Sequence, residues 1–164
     1  MAPKRKASEI STKKTAEDVV AEIKQLESTV HSSKTNANNL LSIQTILAEG
    51  GDDIVVLTAI QALRRIFLSF LKNADFSIRL SEKVTKSMTA PRLKFHEWAL
   101  TQAKKYILNL AALIANASHD EVSDGVILAA IDALMDLAVE DAQSNVNYLS
   151  SIDAIGILAQ VCMV

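Results

Sequence analysis

Residues 53–72 read DIVVLTAIQALRRIFLSFLK, and the spacing of their apolar side chains indicates the fold class. The apolar positions recur every three or four residues, which is the period of an α-helix. One stripe of this helix consists of large side chains, Val56, Ile60, Leu63, Phe67 and Phe70. The flank beside it consists of smaller apolar ones, Val55, Ala59, Ala62 and Ile66. Because a helix that is apolar over so much of its circumference is buried on two sides, the stretch predicts the core helix of an all-α fold.

Two helices are predicted before this core helix. Thr15 and Asp18 have the spacing of a capping box, and the helix behind them carries one apolar face, Val19, Ile23, Leu26 and Val30. A second helix is expected from about Asn36 to Glu49, with three apolar side chains inward, Leu40, Ile43 and Leu47. The Gly50-Gly51 pair ends it, because glycine adopts the left-handed C-cap without a steric penalty. Asp52 or Asp53 then caps the core helix.

Three helices are predicted after the core helix. The fourth begins at Pro91, runs to about Ala117 and turns five side chains inward, Leu100, Ala103, Ile107, Leu110 and Ile114. A second capping box at residues 118–121 opens a fifth helix that ends near Glu140, and a sixth begins near Ser150 or Ser151. Since the connections are short, antiparallel helical hairpins are expected.

The core helix has an internal counterpart 71 residues later. Asp53–Ile66 and Asp124–Leu137 are identical at seven of fourteen positions. The large stripe of the first maps onto Ile127, Ile131, Leu134 and Ala138 of the second. Helical solenoids repeat every 35 to 47 residues or so, and 71 residues is close to two of the shorter units. This favours a HEAT/armadillo-like helical repeat, an α-solenoid of antiparallel hairpins, over its alternative, a plain helical bundle.

The composition excludes several other classes of protein. Four glycines and two prolines are too few for a turn-rich β-fold, and a single cysteine cannot form an internal disulfide framework. The N-terminus has no apolar signal sequence, and no uninterrupted apolar run is long enough to span a membrane. We therefore expect a soluble, intracellular, helical protein with no membrane partner.

Charge is distributed in blocks along the chain. Residues 1–14 carry a net +4, residues 15–63 a net −5, residues 64–105 a net +7 and residues 106–164 a net −8. The first block is predicted to be a disordered basic tail ahead of a helical domain at 15–164. Its basic residues form a candidate nuclear-targeting signal, Lys4, Arg5, Lys6, Lys13 and Lys14, with a merely solubilising tail as the alternative.

No pattern in the sequence indicates catalysis. Three histidines lie in separate helices or caps, and no glycine-rich phosphate loop, serine nucleophile motif or metal-ligand spacing is present. The acids Asp132, Asp136 and Glu140 recur on one helix face, where they are expected mostly to solvate the surface. We therefore predict a protein without enzymatic activity, cofactor, metal or small-molecule substrate.

A resemblance comes from RLKFHEW at residues 92–98, which opens a long helix ahead of the repeat helix Asp124–Glu140. With the preceding helix Asp53–Lys72, this order resembles the N-terminal helical-repeat part of the nucleolar complex protein 4 family over roughly residues 53–142. The family's CCAAT-binding-factor-type domain is not found in these residues, so the partner binding tied to that domain is not transferred.

The resemblance implies a non-enzymatic nucleolar scaffold for small ribosomal subunit assembly, active in rRNA processing within the small-subunit processome. It also implies a location in the nucleus and nucleolus, and partners among nucleolar assembly proteins, with nucleolar protein 14 as the family's partner. Two alternatives stay open: a generic helical adaptor, and direct RNA binding through the basic residues 64–105, which predicts a steep dependence on salt.

Trp98 has two interpretations. Trp98, Gln102, Lys105 and Asn109 are predicted to share a face opposite the main stripe of the fourth helix. In one interpretation the connection at 74–90 folds over the ring. In the other, Trp98 is an exposed anchor in a partner-binding site whose members are Arg92, Lys94, Phe95, Trp98 and Lys105. The last ten residues are almost entirely apolar, from which we expect a truncated or alternatively ended chain, because solenoids need a polar cap.

Overall fold

A computed structural model describes residues 14–73, 89–116 and 122–143 of the chain. Within these ranges the chain is helical, without strands. The helices, with one 3-10 turn at Lys34–Asn36, are α1 (Ala16–Ser32), α2 (Asn39–Glu49), α3 (Asp53–Lys72), α4 (Ala90–Ala115) and α5 (Asp124–Gln143). The all-α prediction is confirmed, while the sixth helix predicted near Ser150 lies outside the described residues.

The helix ends follow the predicted signals at α1 and α3. The Thr15 hydroxyl accepts a hydrogen bond from the Asp18 backbone N–H at 3.2 Å, and the Thr15 backbone N–H donates to the Asp18 carboxylate at 3.1 Å. Asp52 caps α3 by accepting from the Ile54 N–H at 3.0 Å. Gly50, at φ +69°, and Gly51, at φ +115°, take the left-handed conformations that end α2.

Two helices begin later than predicted, α2 by about three residues and α5 by about five. The Ser33 hydroxyl accepts from the Thr35 N–H at 3.3 Å and starts the 3-10 turn, so α2 begins at Asn39 rather than near Asn36. Helix α5 begins at Asp124, where the Ser123 carbonyl accepts from Val126 and Ile127. The predicted capping box at 118–121 lies outside the described residues.

The helices stack in two layers. The substantial contacts join each helix to the next one in the chain and to the one after that. One layer consequently contains α1, α3 and α5, and the other contains α2 and α4. Contacts between helices that are this close in the sequence are typical of a repeat in which each hairpin packs on its neighbours. The predicted α-solenoid is therefore confirmed.

Helix α3 lies at the centre of this stack. Both its large stripe and its small flank are buried, as predicted, and Ile60 is fully enclosed. Length and hydropathy alone would allow α3 to cross a membrane, yet more than half of that segment is buried against other helices. Its two arginines are held in ion pairs with α1 and α5, so its apolar character is that of a core helix.

Ion pairs join α3 to both neighbours in its layer. Arg65 forms a bidentate pair with Glu27 of α1, at 2.5 and 2.8 Å between nitrogen and oxygen. On the other side Arg64 pairs with Asp136, and Lys72 lies 3.8 Å from Glu140. Two of the three α5 acids, which were predicted mostly to solvate the surface, therefore also pair with basic side chains of α3. These two acids, Asp136 and Glu140, lie opposite basic side chains that are about two helical turns apart on α3.

Helix α5 is rotated relative to the prediction. The repeat alignment placed Ile127, Ile131, Leu134 and Ala138 inward, but only Leu134 among them is fully buried. The buried side chains are instead mostly the counterparts of the small flank of α3, Val126, Ala130, Ala133 and Leu137. The repeat therefore predicted the helix correctly and its most buried face incorrectly.

Candidate protein-interaction surface

The five predicted partner-binding residues lie on the first two-thirds of α4 and differ in exposure. The aromatic side chains of Phe95 and Trp98 are half-buried and pack against the core. The three basic residues, Arg92, Lys94 and Lys105, are exposed. The structure thus brings the two rings together and leaves the three basic side chains exposed on the same helix.

Among the described residues, Phe95 and Trp98 lie at one end of a row of aromatic rings that begins in the core. Tyr106 stacks on Phe67 at 5.2 Å between ring centroids, and Phe67 meets Phe70 edge-on at 6.1 Å. Phe70 meets Phe95 at 5.9 Å, and Phe95 lies 5.7 Å from Trp98. Because each ring is packed on the next, the half-buried end of the row is held in a fixed orientation, which lowers the entropic cost of using it as a binding surface.

One basic side chain contacts the half-buried end of this row. The Lys34 ammonium lies 5.8 Å from the centroid of Phe95, in the geometry of a cation–π contact. It comes from the 3-10 turn between α1 and α2, so the surface is built from two separate parts of the chain. A sequence pattern along α4 alone could not have identified Lys34.

The predicted face around Trp98 is placed incorrectly. Gln102 was expected opposite the main stripe, yet it is buried, and its backbone carbonyl accepts a 2.8 Å hydrogen bond from the Gln44 side chain. The reason is that α2 packs on this side of α4, as the layered stack requires. The side-chain oxygen of Gln102 is buried without a hydrogen-bond partner among the described residues.

A shallow groove between α2 and α4 continues from this contact. Its volume is about 460 Å³, and its lining comprises Leu41, Gln44, Thr45, Ala48, Glu49, Lys105, Leu108 and Asn109. Leu41 and Leu108 are exposed apolar side chains at this groove. Lys105 lines it, whereas Arg92 and Lys94 do not. Sequence reasoning missed the groove, although an apolar Leu108 outside the inward stripe was a signal for it.

The other residues considered from sequence are placed as follows. Lys14 of the basic tail is exposed and forms a 2.7 Å ion pair with Glu22, while the rest of the predicted targeting signal lies outside the described residues. His31 lies 3.7 Å from Glu27, and His96 is buried at the start of α4. Within the three described ranges, no group of three potential metal ligands comes together.

Comparison with known proteins gives a match to a family model. The family model described as nucleolar complex protein 4-like, TPR repeats, matches residues 12–151, which is most of the chain and includes α1 to α5. Neither the curated proteins nor the solved structures give a match. TPR-like repeats are in general a non-catalytic fold for protein–protein interaction, and this family suggests a role in nucleolar ribosome biogenesis. The resemblance seen at residues 53–142 is thereby confirmed over a longer range, and the chain belongs to the nucleolar complex protein 4-like family.

Proposed function

We propose that this chain is a non-enzymatic scaffold that binds other nucleolar assembly proteins during small ribosomal subunit biogenesis and rRNA processing. The observation that carries the proposal is the family match over residues 12–151 together with the stacked helices. The mechanism is positional, because a stack of helices presents side chains in fixed relative positions and holds partners without a covalent step.

The partner-binding site of the proposal is the half-buried end of the aromatic row together with the basic side chains of α4 and Lys34. Phe95 and Trp98 supply a preorganised aromatic anchor, while Arg92, Lys94, Lys105 and Lys34 supply positive charge. Buried aromatic anchors surrounded by charged side chains dominate the energy of many protein interfaces. The chemistry favours a partner segment that combines apolar and acidic side chains, as part of nucleolar protein 14 or another assembly protein.

The charges of the described residues support protein contacts over direct RNA binding. Of the ten basic residues in the block 64–105, Arg64, Arg65 and Lys72 form ion pairs with carboxylates of α1 and α5. A cation already paired with a carboxylate contributes less to the neutralisation of phosphate. The acidic helix α5 lies beside α3, where it would repel an RNA backbone.

The direct test is affinity purification of the tagged chain from its own cells after nuclease treatment, with mass spectrometry of the bound proteins. Small-subunit processome proteins are expected to remain bound without RNA. Recovery of chaperones or cytoplasmic proteins alone would contradict the proposal, and loss of all partners on nuclease treatment would favour the RNA alternative.

A variant pair locates the binding surface. Trp98→Ala is expected to weaken partner binding by at least about tenfold, since truncation of a hot-spot aromatic typically costs 2 kcal/mol or more. The matched control is Ile54→Ala, which truncates an exposed apolar side chain on α3 and should leave binding unchanged. Unfolding in urea is measured for both variants. Unchanged binding by Trp98→Ala together with lower stability would show that the ring is only structural.

Nuclear entry is proposed to depend on the basic tail. Replacement of Lys4, Arg5 and Lys6 by alanine removes the densest part of the positive cluster. A fluorescently tagged variant is expected to shift to the cytoplasm, while Lys24→Ala on α1, an exposed lysine outside the cluster, should not change the distribution. Nucleolar accumulation of the triple variant at the wild-type level would contradict this part of the proposal.

A further inference from the structure

The groove between α2 and α4 has exposed apolar side chains on both of its walls. Leu41 of α2 is 38% exposed, and Leu108 of α4 is 55% exposed. Apolar side chains that face one groove are stabilised when another protein surface covers them, because their contact with water is then removed. The groove therefore has the apolar character of a protein interface.

The groove is also lined by one acidic and one basic side chain, Glu49 of α2 and Lys105 of α4. Both are exposed, and within the three described ranges neither forms an ion pair with the other or with a third residue. The basic side chains Arg64, Arg65 and Lys72 of α3, by contrast, all pair with carboxylates of neighbouring helices. The groove thus carries no net charge and offers one charge of each sign to a partner.

A groove with these side chains is complementary to a second copy of itself. In an interface with twofold symmetry, a contact from residue i to residue j is repeated from j to i. Rotation about an axis along the groove places α4 of each copy over α2 of the other. This brings Lys105 of each copy to the wall that carries Glu49, and it covers the exposed leucines of both walls.

We propose that a second copy of this chain covers the groove between α2 and α4. The two copies form a twofold-symmetric dimer, with Leu41 and Leu108 in the contact and two reciprocal pairs of Glu49 with Lys105. A strongly acidic or strongly basic partner would be attracted by one of these two charges and repelled by the other. A second copy supplies the opposite charge to both.

A dimer adds a property to the proposed scaffold, because it joins two copies of the aromatic anchor in one particle. Phe95 and Trp98 do not line the groove, whereas Lys105 belongs to both surfaces. Two linked anchors bind a partner that has two matching segments more tightly than a single anchor does. The dimer itself requires no nucleolar partner, so it can be measured on the purified chain.

Sedimentation equilibrium of the purified full chain tests the dimer, from micromolar to millimolar protein concentration. The wild type is expected to change from monomer to dimer as the concentration rises. Glu49→Lys and Lys105→Glu should each weaken self-association by on the order of tenfold. In each variant two attractive contacts per dimer become repulsive, and an exposed pair contributes up to about 1 kcal/mol. The matched control is Lys24→Glu, which reverses an exposed charge on α1 outside the groove and should leave self-association unchanged.

An equal mixture of the Glu49→Lys and Lys105→Glu chains should dimerise as well as the wild type. In the mixed dimer every position 49 again meets a charge of the opposite sign at position 105. Leu108→Ala should weaken self-association severalfold, because it removes apolar area from the contact twice per dimer. Its matched control, Ile54→Ala, truncates an exposed apolar side chain outside the groove and should have no effect. Circular dichroism of each variant checks that its helices are intact.

Three results would overturn the proposal. The first is a wild-type chain that remains monomeric at every concentration. The second is a dimer that no substitution in the groove weakens, because another surface would then join the two copies. The third is a mixture of folded variants that does not dimerise, because Glu49 and Lys105 would then not pair between copies. Capture of processome proteins by the tagged chain is a separate measurement, so loss of the dimer would leave the proposed scaffold function standing.

Discussion

Helices α3 and α5 contain fourteen-residue segments that are identical at seven positions, yet the two helices have different surroundings. Ile60 of α3 is fully buried, whereas its counterpart Ile131 on α5 is half-buried. Leu57 is half-buried, whereas its counterpart Leu128 is 62% exposed. The difference arises because α3 has a layer neighbour on each side, α1 and α5, while the described residues place a layer neighbour on one side of α5. In a helical repeat, the burial of a residue depends on its position in the stack as well as on its own helix.

The substitution with the largest expected effect makes α3 resemble α5. Phe67→Ala introduces the residue that α5 carries at the equivalent position, Ala138. It removes a buried ring that contacts both Tyr106 and Phe70, so the free energy of unfolding should fall by about 3–5 kcal/mol. Urea unfolding followed by circular dichroism measures this loss.

Ile54→Ala is the control on the same helix, since it truncates an exposed apolar side chain and should change stability by about 0.5 kcal/mol or less. Similar losses for Phe67→Ala and Ile54→Ala would mean that α3 is not enclosed on two sides.

The free energy of unfolding is expected to depend on pH through Tyr106, which lies where α4 covers α3. Burial raises the pKa of Tyr106 above its ordinary value, opposed by the nearby positive charge of Arg64. Above about pH 10 the unfolded chain loses the phenolic proton while the folded chain keeps it, so this group lowers stability by about 1.4 kcal/mol per pH unit. The loss begins at the ordinary tyrosine pKa and continues as the pH rises.

Tyr106→Phe removes this titration. At neutral pH the variant should be less stable by about 0.5–1.5 kcal/mol, because the hydrogen bond to the Ile60 carbonyl is lost. Above pH 10 the difference from the wild type should shrink and then reverse. Parallel stability curves from pH 8 to pH 11 would contradict the buried placement of the phenol.

The smallest effect is expected at the ion pairs between α3 and α5. Arg64→Met introduces the residue that α5 carries at the equivalent position, Met135, and removes the pair with Asp136. A double-mutant cycle with Asp136→Ala should give a coupling energy of about 0.2–1 kcal/mol, because both side chains are partly exposed to solvent.

The coupling should weaken as salt increases, since added ions screen partly exposed charges. The same cycle on Lys72 and Glu140, which are 3.8 Å apart, is expected to give a smaller value. A coupling that does not change with salt would contradict the partly exposed geometry of the Arg64 pair.

Most of the fold follows from local signals in the sequence. The stripe of α3, the capping box at Thr15 and the Gly50-Gly51 stop each depend on nearby residues, and the structure confirms them. The rotation of α5 could not be predicted in this way. Which of its two apolar faces is the more buried depends on the positions of α3 and α4, which are distant in the sequence.

The candidate site was predictable in part. The pattern on α4 identified Phe95 and Trp98, because aromatic residues one turn apart lie on adjoining parts of one helix surface. The contact of Lys34 with Phe95 and the burial of Gln102 against α2 depend on how separate hairpins pack. The ion pairs of α3 with α5 were missed for the same reason, although the opposite charges of their blocks were visible in the sequence.

Native-state hydrogen exchange by mass spectrometry tests the stacking order most directly, because it measures the protection of α3 and α5 in one experiment. We expect the amides around Ile60 in α3 to exchange most slowly and only through global unfolding. The amides of α5 around Ile131, which is half-buried, should exchange faster, through local opening of this helix. Equal protection of the two helices, or slower exchange in α5, would contradict the central position of α3.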